Sequence, residues 1–259
     1  MILSSIKPVA EWSNITDQEP IDFIYQNNNN CLVTLPNSFL ILEANKVIKK
    51  HPLETIQELV QLHPWGEKYF LLEFDQTSYN NIAYQIDHLT SPSKQLLENL
   101  EDPKNIAYNP LKNLLYYKHS SVRLYMYDLK SKTSVAVFPE KEVSNLSISD
   151  NGQYLALENF KSITIVNTQN HEIVYEYVKV PGKYYDLMGV TDSGALLAIH
   201  HPVARKNEKK TDPATVFLLQ EKGHQPLVET SDGWAKWNQG HLMVLDQKTF
   251  KLYDKTILE

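Results

Sequence analysis

The side chains able to do covalent or metal chemistry are scattered along this chain rather than gathered. Of nine histidines, only His200 and His201 are adjacent. Neighbours on a strand point to opposite faces, so this pair is not placed to hold one metal ion. There is no Gly-rich phosphate loop, serine elbow or Cys-x-x-Cys pair. The 31 Asp and Glu residues leave room for a carboxylate pair of the kind glycoside hydrolysis uses. Cys31, the single cysteine, opens the apolar run CLVTL, where a small buried thiol is expected rather than a reactive one. No catalytic residue, metal ligand or cofactor is assigned.

Residues suited to recognition are better supplied. Carboxylates recur at intervals: Asp17 and Glu19, Glu54 and Glu58, Glu101 and Asp102, Glu140 and Glu142, Asp186, and Glu229 with Asp232. Tyr184 and Tyr185 stand beside one of these groups, and Trp234 and Trp237 beside another. Tyr and Trp are frequent anchors of protein interfaces; Trp237, alternating with Lys236 and Asn238, is expected to pack between repeats. A basic stretch, HPVARKNEKKTDP, runs from His201 to Pro213 and carries Arg205, Lys206, Lys209 and Lys210. It reads either as a partner-binding arm or as a solvated insertion.

The elements that must position these residues follow from an internal repeat. The segment from Asn105, NIAYNPLKNLLYYKHSSVRLYMYDLKSKTSVAVF, aligns with that from Asn145, NLSISDNGQYLALENFKSITIVNTQNHEIVYEY. Each reads as strand, tight turn, strand, short loop, strand, tight turn, strand. Leu146 and Ile148 alternate with Ser147 and Ser149, the period of a half-buried strand. Asp150-Asn151-Gly152 supplies a turn, because Asn and Gly accept the positive φ of tight hairpins.

The same first turn is expected at Asn27 to Asn30, at His63-Pro64-Trp65-Gly66, and at Pro110 to Asn113. It recurs at Asp192-Ser193-Gly194 and Asn238-Gln239-Gly240. A spacing near 40–45 residues with four strands per unit is the mark of a propeller. The strongest helical candidate, Leu53 to Leu62, fits equally well as a connection followed by an opening strand. The expected fold is all-β: a single β-propeller of about six four-stranded blades. The blades fall near 13–54, 55–100, 101–140, 141–180, 181–232 and 233–259 plus 1–12. The last unit supplies three strands, and Ser5 to Trp12 is a spare extended segment whose pairing with it closes the ring. Pro8 would then sit on an edge with its missing N–H outward.

A second marker repeats after each third strand: LILEANK, IAYQIDHLT, LYMYDLKSK, ITIVNTQNH, VFLLQEKGH and FKLYDKT. This apolar-x-apolar-x-(Asp/Asn) pattern resembles the Trp-Asp-repeat and related bacterial propeller families, a resemblance of structure. No Gly-His pair opens the units and no Trp-Asp dipeptide occurs, so the Asp–His network of those repeats is not expected.

Charge narrows the function. The net charge is −6, opposite to what phosphate neutralisation needs, so no nucleic-acid partner is expected. No basic segment with a long apolar run opens the chain, and no stretch approaches the roughly 18 apolar residues of a membrane span. With one cysteine, no intrachain disulfide forms. The expectation is a soluble cytoplasmic protein with no membrane partner, monomeric by itself. It binds another protein as a scaffold, or as an acidic inhibitor or immunity-type binder of a basic protein. The alternative is a propeller hydrolase or lyase using carboxylates or histidines around the central channel.

Overall fold

The computed structural model describes residues 7–28, 30–36, 38–43, 46–52, 58–65, 68–87, 94–100, 102–138, 140–180, 184–202, 213–220 and 223–258. Six four-stranded antiparallel sheets form a ring. Blade 1 holds β2 (Asp22–Asn27), β3 (Asn30–Leu35), β4 (Ser38–Glu43) and β5 (Lys46–Pro52). Blade 2 holds β6 (Leu59–Trp65), β7 (Lys68–Asp75), β8 (Asn80–Ile86) and β9 (Lys94–Leu96). Blade 3 holds β10 (Pro103–Asn109), β11 (Leu114–His119), β12 (Leu124–Asp128) and β13 (Thr133–Val137). Blade 4 holds β14 (Asn145–Ile148), β15 (Tyr154–Glu158), β16 (Ser162–Asn167) and β17 (Ile173–Val178). Blade 5 holds β18 (Tyr184–Val190), β19 (Leu196–His201), β20 (Ala214–Gln220) and β21 (Gly223–Thr230). Blade 6 holds β22 (Trp234–Asn238), β23 (His241–Asp246) and β24 (Thr249–Tyr253), and β1 (Ala10–Ser13) completes it. A 3₁₀ turn, Lys255–Leu258, follows.

Closure by the N-terminal strand is therefore present, in register Ala10↔Leu252 to Ser13↔Thr249. The strand is shorter than expected. Pro8 lies before it rather than on it, and residues 1–6 fall outside the described set. Trp12 anchors the closure: it is 2% exposed, clustered with Phe23 of blade 1 and Phe250 of blade 6.

Strand alternation builds the core. In blade 4, Leu146, Leu155, Leu157 and Val166 pack towards blade 3. Ala156, Ile163 and Ile165, one step out of phase, pack towards blade 5. Both faces of the middle strands are thus buried, which is why they read as nearly unbroken apolar runs. The described residues form six such clusters, one at each seam of the ring. Cys31 lies fully inside one of them, and burial pushes its thiol up to about 12.

One expected turn is displaced. His63, Pro64 and Trp65 belong to β6, and Trp65 pairs with Lys68; residues 66–67 lie outside the described set. Pro64 reads as a turn former, yet β6 is the innermost strand of its blade and has a free edge. There a missing N–H costs no ladder bond. In the same way Leu59 to Leu62 is strand, not helix.

Candidate functional site

Two regions deserve comparison as sites: the central channel and the outer corner of blade 4. The innermost strands β2, β6, β10, β14, β18 and β22 surround a cavity of about 260 Å³. Its lining includes the ionisable side chains of Asp22, His63, Tyr108, Asp150 and Lys236 and the amides of Gln61, Asn105, Asn145, Asn238 and Gln239.

Most of those amides fasten blades together. Gln61 Nε2 donates to the Ile106 carbonyl (2.9 Å), and the Ile106 N–H donates back to Gln61 Oε1 (2.8 Å), joining blades 2 and 3. Asn105 Nδ2 donates to Asn145 Oδ1, and Asn145 Nδ2 to the Leu187 carbonyl (3.2 Å), carrying the link through blade 4 to blade 5. The Tyr25 N–H donates to Asn238 Oδ1 (3.0 Å) between blades 1 and 6. Between blades 5 and 6 the seam is steric. A Cβ on Gly189 would come within 2.8 Å of Trp237 Cβ, so Trp237 packs between blades as expected.

The ionisable groups are engaged as well. His63 Nε2 accepts the Tyr108 N–H (3.3 Å), and burial lowers its pKa to about 4, so the ring is neutral near pH 7. Burial raises Asp22, opposed by the Lys236 charge and by the Phe23 N–H at 2.9 Å. Asp150 is raised to about 6, first by burial and further by Asp192. The Gln239 N–H (2.9 Å) and the Gly240 N–H oppose the rise. The Asn151 N–H meets Asp192 Oδ1 at 2.8 Å, so the first turns of blades 4, 5 and 6 are tied together at one mouth. Among the described residues no three His, Cys, Asp or Glu side chains come together as a metal-binding set.

The residues expected to meet a partner divide sharply. Glu101, Arg205, Lys206, Lys209 and Lys210 lie outside the described residues. Tyr184 opens β18 opposite His201. Tyr185 is only 2% exposed and packs edge-on to Tyr177 (5.9 Å) and Phe217 in the core between blades 4 and 5. Trp234, 9% exposed, sits edge-on to Phe250 (6.0 Å). Neither ring is presented to solvent, a correction to the anchor role expected for them. Both belong to innermost strands, whose faces are covered by the neighbouring blades.

Asp102 is likewise a fastener. It bonds Lys104 (2.7 Å) and the Asn81 N–H (3.1 Å) across the seam of blades 2 and 3, and these partners outweigh burial to lower its pKa. Glu140, Glu142 and Asp186 are exposed, the last 3.2 Å from His201 Nε2. His200 instead lies tilted against Tyr185 and edge-on to Phe217, on the opposite face from His201.

The region that sequence reasoning missed is apolar. Phe160, in the loop between β15 and β16, is 87% exposed, and Val178 and Val180, at the end of β17, are 70% and 46% exposed. The Lys179 N–H donates to the Lys161 carbonyl (2.8 Å), which holds the two segments at one corner. The Ser144 N–H reaches the Glu158 carbonyl (2.7 Å), placing the connection that carries Glu140 and Glu142 beside it. Ile173 and Val174 extend the exposed apolar run along β17. The one available signal was IVYEYV itself, an apolar strand in the outermost position of a blade.

No family model matches the chain, and no curated protein matches it in sequence. Solved structures match in shape. The chain superposes on a protein from Agrobacterium tumefaciens described as TolB with a TM-score of 0.62 at 12% identity, covering 92% of this chain and 91% of that one. A chain of a mitotic checkpoint complex matches with a TM-score of 0.54 at 10% identity, covering 92% and 76%. The acylaminoacyl peptidase of Pyrococcus horikoshii matches with a TM-score of 0.53 at 12% identity, covering 76% of this chain but 38% of that one. The likeness is one of fold, the β-propeller. Among the described residues no helix is long and apolar enough to cross a membrane.

Proposed function

We propose that the protein is a non-enzymatic protein-binding module whose contact face centres on the outer corner of blade 4. The observation that carries this is the concentration of exposed apolar side chains there: Phe160, Ile173, Val174, Val178 and Val180 belong to one blade. Scattered apolar residues on a surface are ordinary, whereas a contiguous group rimmed by polar side chains favours association. Glu140 and Glu142 supply such a rim and bias the partner towards a basic protein. A catalytic channel finds less support, because Asp22, His63 and Asp150 each already hold a backbone N–H.

The test pairs capture with mutation. Proteins retained by the tagged wild type from its native host are identified, and the best-enriched one is purified for titration. Phe160→Ser combined with Val180→Ser should weaken its binding at least tenfold with folding intact, since apolar anchors dominate such interfaces. Unchanged affinity would move the contact face elsewhere on the ring.

A further inference from the structure

A propeller exposes one outer strand per blade, and each such strand is a template for adding another. Five of the six edges here are short, covered, or carry Lys or Pro. β5 carries Lys46, Lys49 and Lys50 and ends on Pro52. β9 has three residues, and β1 has four. β21 contains Pro226 and a register shift opposite β20. β13 is covered at one end by blade 2: Asn99 Nδ2 donates to the Lys132 carbonyl (3.0 Å), and Ser134 Oγ to the Asn99 carbonyl (3.1 Å).

β17 is guarded only by a register shift opposite β16, between Ile165 and Val166, which takes Val174 out of the ladder and leaves Tyr175 to Val178 regular. Its six residues, IVYEYV, contain no Lys and no Pro, and no described strand pairs with it on the side away from β16. The Lys179 N–H points inward to the Lys161 carbonyl. Antiparallel ladders alternate, so the N–H groups of Glu176 and Val178 point outward. Glu176 lies opposite Thr164, which in turn lies opposite Leu157 of the cluster shared with blade 3. Val178, two residues on, shares the face of Glu176.

We propose that β17 takes up an extended segment of a basic partner protein as a fifth strand of blade 4, a Lys or Arg lying two residues from an apolar one on the same face of that segment. Charge selects this occupant. Glu140, Glu142, Glu172 and Glu176 are exposed along the corner and edge, against Lys141, held on Thr164 Oγ1 (3.2 Å), and Lys161. Lys179 is already paired with Glu158. Glu176 sits mid-edge; its Oε1 accepts from Ser162 Oγ and Thr164 Oγ1 (3.3 Å), which favours the ionised carboxylate and hence a basic residue opposite it. Val178, on the same face in the regular part of the strand, calls for an apolar residue two positions from the basic one. A second copy of this chain fits worse, because antiparallel self-pairing centred on Glu176 sets two carboxylates opposite each other.

The proposal rests on blade 4 being the contact face, and the experiment separates the two ideas. The probe is a labelled eight-residue peptide with Val-Thr-Lys-Thr-Val at its centre, titrated against the full chain by fluorescence anisotropy. Saturable binding is expected. It should weaken at least tenfold when Glu replaces the Lys, and at least tenfold when the peptide amides facing β17 are N-methylated. Val178→Pro removes one outward N–H from an edge strand, where Pro is tolerated, and should match the loss; Val178→Ala should lose less.

Failure to saturate, or indifference to N-methylation, overturns strand addition without reference to any variant's folding. A partner that needs Phe160 yet ignores Val178→Pro keeps the corner and removes the added strand. A partner indifferent to both removes blade 4 altogether. A wild-type dimer at micromolar concentration that Val178→Pro dissolves would make the occupant a second copy and overturn the basic partner.

Discussion

The channel and the outer corner of blade 4 make opposite offers to a ligand. The channel is rich in amides and ionisable groups, the composition usually sought in a site, yet most of those groups already join one blade to the next. At the corner the carboxylates only rim an apolar surface, whose side chains and outward strand amides have no described cover. Polarity in a cavity is therefore a weaker guide to function here than surface left without a partner. In energetic terms, changes at the seams should act on folding, and changes at the corner on association.

The largest effect is expected where the ring closes. Trp12→Ala should destabilise the fold by about 3–5 kcal/mol, the usual cost of truncating a buried Trp. Chemical denaturation would show it as a lower midpoint at an unchanged slope. A near-neutral result would mean that β1 is dispensable and that the blade 6 seam holds without it.

Next comes the channel seam. Asn145→Leu should cost about 1–3 kcal/mol, because it strands the bonding partners on Asn105 and Leu187 while adding no space. If thermal melting barely moves, the channel amides are free to serve a ligand, and the contrast with the corner collapses.

A smaller effect tests the mouth of the channel. Asp150 has a folded-state pKa above its unfolded value, so its contribution is fullest below the usual carboxylate range and is lost as pH rises through about 6. Asp150→Asn should therefore raise the melting temperature at pH 7.5 and give no gain near pH 4. The gain should stay below about 1 kcal/mol, because Asp150 is exposed as a residue and solvent screens its charge. His63 runs the other way. Its pKa is lowered to about 4, so its contribution is complete above the usual imidazole value and falls as pH drops towards 4. The two groups oppose each other across that interval, and the Asn variant should be the more acid-sensitive protein.

The smallest change in stability belongs to the corner. Phe160→Ser should shift folding by no more than about 0.5 kcal/mol, as expected of an exposed loop residue. A substantial loss of stability would show that Phe160 packs against something and is no contact residue.

Much of the architecture was legible along the chain because its causes are local. Leu146 and Ile148 alternating with Ser147 and Ser149, closed by Asp150-Asn151-Gly152, define a strand and its reversal within eight residues. Gly152 sits at φ +74°, where a side chain would be strained. The near-regular recurrence of such turns carried the blade count and the spare strand for closure. Local chemistry misled where a turn former occupied a free inner edge, as Pro64 does.

The candidate site was legible only in part. Glu140, Glu142 and Asp186 are exposed as their charge suggested, but Tyr185 and Trp234 carry the same residue types as exposed anchors and are buried. Burial depends on which blade lies against which face, and that partner is set by the ring closing, some 40 residues away in sequence. The same holds for β17. Its sequence states an apolar strand, while its being the least guarded edge depends on the other five edges and on what covers them. Periodicity and turn chemistry thus determined the strands, the repeat and the means of closure. Only the assembled ring decided which polar groups are used up at the seams and which apolar ones are left facing water.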